Sequence, residues 1–315
     1  MRVPATSPLV LVCLVVLVLY VRGHSHAPAP APVVGVAAAP PITREPADRL
    51  DLAGDDLFWT TTRRYGSGPA VATVHRAHGD TVSTAYREFG VRFGDVAAGR
   101  YVVVNDDLRG VSRIRRIDRG GTLATSAGLI GGRDLLADGT ALYWADDAGV
   151  RTVAVAGGPV RTLARSAAVR FVALDGDRLY FAAGNVIRSV GTSGGPARRE
   201  AVARTAVTGL AAADGRLYWS ELGGGIRQRD GVLRAAVAGR VVTELSATGT
   251  RLIWVECAAS GSDCLIRAYA GGGIGGFEAG PGVHDIQDDG STVVYTGPGG
   301  VARHVLIGPR LARIP

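Results

Sequence analysis

Leu210-Ala-Ala-Ala-Asp214-Gly215-Arg-Leu-Tyr218-Trp219 is an apolar run, an Asp-Gly pair, and a second run that ends in two aromatic residues. Asp-Gly between apolar runs is a hairpin signal, because the tight turn needs positive φ that glycine adopts without strain. Counted from its glycine, the same arrangement recurs at Gly54, Gly99, Gly139, Gly176, Gly215, Gly249 and Gly290, in steps of 45, 40, 37, 39, 34 and 41 residues. A period of about forty with several short strands per unit is the signature of a β-propeller. The expected fold is therefore all-β, a ring of seven blades with four antiparallel strands each. Six blades plus an aberrant unit is the alternative.

The third repeat lays out one blade. Arg133 to Ala137 reads as the first strand, Asp138-Gly139 as the turn, Ala141 to Asp146 as the second strand, Val150 to Ala156 as the third and Pro159 to Arg165 as the fourth. Gly157-Gly158 closes the last hairpin, and Gly194-Gly195 does so in the fourth repeat. The second repeat has lost its aromatics to Val102-Val103-Val104. The seventh reads as supplying its own outer strand at Arg310 to Ile314, so closure by an N-terminal strand is open but not required.

The strings FWTT (58–61), YWAD (143–146), YFAA (180–183), YWSE (218–221), IWVE (253–256) and VYTG (294–297) resemble those of YWTD-type propellers and the broader TolB-like group. The resemblance runs from Asp48 to the C-terminus and rests on one short motif per blade. It implies a propeller and says little about function, because this fold carries unrelated activities. Familiar YWTD proteins have six blades, against the seven glycine turns here.

Composition agrees with many short strands: 315 residues include 45 glycines and only 6% aromatics. All 35 basic residues are arginine, which with the heavy Ala, Gly and Val use points to coding bias and not to a nucleic-acid partner. The net charge of +7 permits attraction to anionic envelope polymers. Met1-Arg2, an apolar stretch from Pro8 to Val21 and then Arg22 match an export signal, so residues 1–23 are expected to be a cleaved leader or a membrane anchor. Cys13 lies inside that stretch, preceded by Val12 where a lipoprotein signal wants a small residue. Residues 24–47 are Pro/Ala-rich and read as an extended, disordered linker, with His24 and His26 the less expected metal ligands in it. The domain is expected to span 48–315 and to be monomeric and extracytoplasmic, secreted or anchored at a bacterial envelope. The membrane is met only through the N-terminal segment.

Cys257 and Cys264 flank a short loop in the sixth repeat, and in an exported protein they are expected to form a disulfide. Their spacing, without companion ligands, suits zinc poorly. Gly191-Thr-Ser193-Gly-Gly195 matches a nucleophile elbow, and Gly271 to Gly276 a dinucleotide fingerprint. Both lack the required helix and are read as loops. His75 and His78 lie three apart on one strand, on opposite faces.

Five positions before each turn glycine stand Arg49, Gly94, Asp134, Phe171, Leu210, Glu244 and Asp285, one ring around the axis. The second strands end at the same face with Asp106, Asp107, Asp146, Asp147, Glu221 and Glu256, and His284 precedes Asp285. Asp134, Glu244, Asp285, His284, Asp146, Glu221 and Glu256 are thus candidate ligand-binding residues at an acidic channel mouth. Convergent carboxylates suit calcium or a cationic ligand group, and solvated turn carboxylates are the competing explanation. The expected function is binding of a small ligand, a cation or an envelope protein, with no catalytic residue assigned. The alternatives are a lyase or hydrolase built on Asp285 and His284, and a scaffold using Arg113, Arg115, Arg116, Arg198 and Arg199 on outer strands.

Overall fold

The structure is a computed structural model that describes residues 36–38, 40–126, 128–130, 135–229, 231–234, 239–270 and 273–306. Every described residue belongs to one compact unit, Val33–Pro315. The export segment, Cys13, His24, His26, Asp134 and the stretch from Arg310 to Ile314 lie outside the described residues. Among those described, no helix is long and apolar enough to cross a membrane.

The strands form seven antiparallel sheets of four. A short strand, β1 (Val36–Ala38), comes first. Blade one is β2 (Leu50–Ala53), β3 (Asp56–Arg64), β4 (Ala70–His78) and β5 (Thr81–Phe89). Blade two is β6 (Arg92–Ala97), β7 (Tyr101–Asp106), β8 (Val111–Arg116) and β9 (Thr122–Ser126). Blade three is β10 (Leu135–Ala137), β11 (Ala141–Asp146), β12 (Gly149–Ala154) and β13 (Arg161–Ala164). Blade four is β14 (Val169–Asp175), β15 (Arg178–Ala183), β16 (Val186–Gly191) and β17 (Arg198–Val202). Blade five is β18 (Val207–Ala213), β19 (Arg216–Glu221), β20 (Ile226–Gln228) and β21 (Gly231–Arg234). Blade six is β22 (Arg240–Thr248), β23 (Arg251–Ala258), β24 (Cys264–Ala270) and β25 (Gly273–Gly280). Blade seven is β26 (Asp285–Asp288), β27 (Thr292–Gly297) and β28 (Gly300–Leu306), completed by β1.

The ring therefore closes with an N-terminal strand. Val36, Ala37 and Ala38 pair with Leu306, Val305 and His304, and Thr43 bridges to Val301. This corrects the expectation of an outer strand at Arg310 to Ile314, and it places β1 inside the segment read as linker. Val-Gly-Val-Ala-Ala offers the prolines' neighbours a short run with every amide free to pair, and proline at 32 and 40 bounds it.

All seven turn glycines have positive φ, from 56° at Gly249 to 94° at Gly290. Because strand residues alternate between sheet faces, the first aromatic of each second strand packs toward the next blade and the second toward the previous one. Tyr143 joins Val172 and Phe181, whereas Trp144 joins Tyr101 and Val103. Tyr218 joins Trp254, and Trp219 joins Tyr180. Each apolar cluster is thus a seam between blades, and Val102 and Val104 fill blade two's side of its seam with Phe58 and Phe93. Burying a side chain of this size contributes about 1.5 to 3 kcal/mol.

Two further expectations change. Gly273 to Gly276 lie in strand β25 and not in a loop. There a Cβ on Gly276 would come within 2.3 Å of the Ile266 carbonyl, so glycine lets the outer strand approach. Arg113, Arg115 and Arg116 lie on a third strand, β8, not an outer one. Arg113 and Arg115 clamp Glu88 of blade one at 3.2 and 3.0 Å. The predicted disulfide is present, with Cys257 and Cys264 directly opposite across β23 and β24 and Cα atoms 4.0 Å apart. Gly191 to Gly195 form the expected hairpin turn, with Gly194 N–H donating to Gly191 O. His75 stacks on Trp59, and His78 pairs with Asp56.

Candidate functional site

The seven inner strands line a cavity of about 1020 Å³. The inner strands begin, and the second strands end, at one face, which also carries the links between blades. We call it the loop face, and the face with the glycine turns the turn face. Glu244 and Asp285 line the channel toward the loop face, together with Arg49 and Asp95. His284 is exposed beside them, its Nδ1 3.2 Å from the Ala47 carbonyl.

Arg49 changes the character of this mouth. Its guanidinium lies 3.6 Å from Glu244 and donates to the His284 carbonyl at 2.9 Å. Asp285 is buried, and its two oxygens accept the amides of Ile286, at 2.7 Å, and of Leu50 in blade one, at 2.9 Å. Asp95 repeats the device between blades two and three, with the amides of Val96 and Leu135 at 2.9 and 3.1 Å. Asp51 accepts the Gly99 amide across the next seam, and Asp175 the Gly215 amide, both at 2.6 Å. Burial pushes the Asp95 carboxyl up to about 7, with nearby Asp285 adding to the rise, and pushes Asp51 up to about 6. Asp48, also near His284 and Arg49, is raised mainly by burial.

Asp146, Glu221 and Glu256 do not line the channel. Each meets an arginine of its own blade, and Asp146 also accepts the Ser126 hydroxyl of blade two at 3.1 Å. Glu221 meets Arg227 at 2.8 Å, Glu256 meets Arg240 at 3.1 Å, and Asp146 meets Arg151 at 3.7 Å. Glu221 and Glu256 also receive the indole N–H of the tryptophan two residues earlier. Among the described residues no three His, Cys, Asp or Glu side chains converge to hold a metal ion.

Strand pairing also revises the ring. Leu210 pairs with Trp219, as Leu50 pairs with Trp59 and Leu245 with Trp254. The counterpart of Arg49, Phe171, Glu244 and Asp285 in blade five is therefore Gly209, not Leu210. In blade five glycine is the second turn residue, after Asp214 at φ 51°, so counting from glycine slips by one. Asp95 was missed for a similar reason: a bulge between Phe93 and Val96 shifts blade two's inner strand.

The loop face has a second feature. Nine large apolar side chains are exposed among the described residues, and six of them, Tyr65, Phe89, Leu108, Leu129, Val202 and Leu222, sit in its loops or at the strand ends beside them. Leu108 is 96% exposed, more than any other of the nine.

No family model matches the chain, and no curated protein matches it. Solved structures do. The Cps50 (Swd1) β-propeller domain of Myceliophteria thermophila is similar with a TM-score of 0.60 and 11% identity, over 86% of this chain and 99% of that one. BamB of Moraxella catarrhalis has a TM-score of 0.55 and 13% identity, over 86% and 99%. The computationally designed Ika8 protein has a TM-score of 0.56 and 14% identity, over 84% and 97%. At such identities the likeness is one of fold, and at that level the chain is a seven-bladed β-propeller.

Proposed function

We propose that the chain is an extracytoplasmic interaction module that binds a protein partner through its loop face. The observation that carries this reading is the gathering of six of nine exposed large apolar side chains on that face. Six such groups on one face offer apolar area that a partner laid across it would cover. The channel carboxylates fit the reading by their other role, since Asp285 and Asp95 join neighbouring blades where the inner strands begin and hold the face rigid. The disulfide supports the location, because such bonds persist in oxidising compartments. A photo-crosslinking residue placed at Leu108 or Leu222 is expected to give a discrete adduct in cells, and one at Val82 or Val232, near the turn face, none. Equal labelling at all four positions contradicts the reading.

A second reading is supported by the channel itself. Its lining carries Asp56, Glu244, Asp285 and Asp288 against Arg49 and Arg100, with Asp51 and Asp95 adding charge only above about pH 6 and 7, in a chain of net positive charge. Low-dielectric walls focus such a field and favour a cationic ligand group or calcium. Titration calorimetry with calcium and with a small diamine, compared between the parent and Glu244→Gln, tests it. No heat in either protein ends it.

A further inference from the structure

Arg44, Arg64, Arg165, Arg170 and Arg204 all lie on the loop-face links or the strand ends that border them, and all are exposed. None has a carboxylate within ion-pair distance among the described residues. The exposed carboxylates of this face are mostly engaged already: Glu45 with Arg63, Asp107 with Arg92 and Asp263 with Arg240. Asp147 and, near the end of β25, Glu278 are the exceptions. The opposite face has exposed arginines as well, Arg100, Arg161, Arg198 and Arg216, but sets them among exposed aspartates of its hairpin turns, such as Asp55, Asp80, Asp177 and Asp214.

Resting on the loop-face reading above, we infer that the partner segment is acidic, and that its Asp and Glu side chains meet these five arginines while its apolar side chains cover Leu108, Leu222 and their neighbours. Guanidinium groups suit carboxylates, which they grip through two parallel N–H donors. Arginine and aromatic side chains on one surface are also the residue types enriched in protein interfaces. An anionic lipid surface fits the face less well. A flat bilayer laid over it would press against the mouth, where Glu244 and Asp285 outnumber Arg49. A polypeptide can place acidic residues on the rim and leave the mouth free.

The test selects a random twelve-residue peptide library, displayed on phage, against the full chain. Selected peptides are then measured on two variants. One carries Leu108→Ser and Leu222→Ser and reports whether a peptide sits on the loop face. The other carries glutamine at all five arginine positions and reports charge. Peptides weakened on the serine variant are expected to be enriched in Asp and Glu, and to bind about tenfold weaker to the glutamine variant at low salt, a difference that added salt removes. Loop-face peptides without acidic enrichment, or with equal affinity for the glutamine variant, overturn the inference and leave the face reading standing. If no peptide is weakened on the serine variant, the face reading fails and the inference with it. Phosphatidylglycerol vesicles that bind through the same arginines, when acidic peptides do not, assign the patch to membrane and overturn it too.

Discussion

Asp285, the first residue of blade seven's inner strand, accepts the backbone N–H of Leu50 in blade one at 2.9 Å. One carboxylate thus joins the last blade to the first. Gln287 adds two bonds across the same seam, accepting from Leu52 N–H and donating to the Leu50 carbonyl. Ring closure depends on these side chains as well as on β1. Asp285→Ala strands buried amides, each costing about 1 to 3 kcal/mol. Urea denaturation should show a loss of that order, with Asp285→Asn losing less. An alanine variant as stable as the parent contradicts the structural role.

The raised carboxyls predict a pH dependence. Asp95 and Asp51 hold their protons to about 7 and about 6, above the ordinary 3.8. Their contribution to stability is full below pH 3.8 and is lost as pH rises through those folded values. His75 and His304, both lowered from 6.5 by burial, act oppositely: their contribution is full above pH 6.5 and declines as pH falls below it. Asp95→Asn separates the two. The stability difference between parent and variant, followed by denaturation at several pH values, should shift in favour of the parent as pH falls from 7 toward 4. A flat difference rules out the protonated carboxyl.

Trp144 offers a gain. Its indole N–H is buried without a partner among the described residues, whereas those of Trp219 and Trp254 reach Glu221 and Glu256 two residues on. Blade three has Asp146 at that position, one methylene shorter. Asp146→Glu should stabilise the fold by about 0.5 to 1.5 kcal/mol, measured as an upward shift in the urea midpoint.

Removing the disulfide with Cys257→Ser and Cys264→Ser should cost about 2 to 3 kcal/mol if loop entropy governs. Reduction of the parent should reproduce the loss.

Gly99 combines positive φ, 59°, with a Cβ site only 2.5 Å from Phe58, whereas Gly139 has open space. Gly99→Ala should therefore be costlier than Gly139→Ala, by about 1 to 3 kcal/mol. Thermal unfolding of the pair checks it.

The periodic part of this molecule could be read directly from residues. Positive φ falls on glycine, alternation sends Tyr143 and Trp144 to different seams, and a repeat of these features counts blades. What escaped was non-local or depended on a single residue's slip. β1 pairs with β28 across nearly the whole chain, and Val36–Ala38, a short proline-free run, carries none of the turn and aromatic features that mark the repeats. A one-residue difference in turn build exchanged Gly209 for Leu210, and a bulge concealed Asp95. The carboxylates at Asp146, Glu221 and Glu256 were visible, but the arginines that hold them come from third or inner strands whose register the sequence does not show. The apolar rim was unread because its members sit on different loops, each unremarkable alone.

The central claim, that the loop face is the binding surface, is tested most directly by amide hydrogen exchange on the chain with and without its cross-linked partner. Protection should rise in 65–69, 107–110 and 222–225 and stay unchanged in the turns at 54–55, 79–80 and 249–250. Protection confined to those turns, or to the inner strands alone, would contradict it.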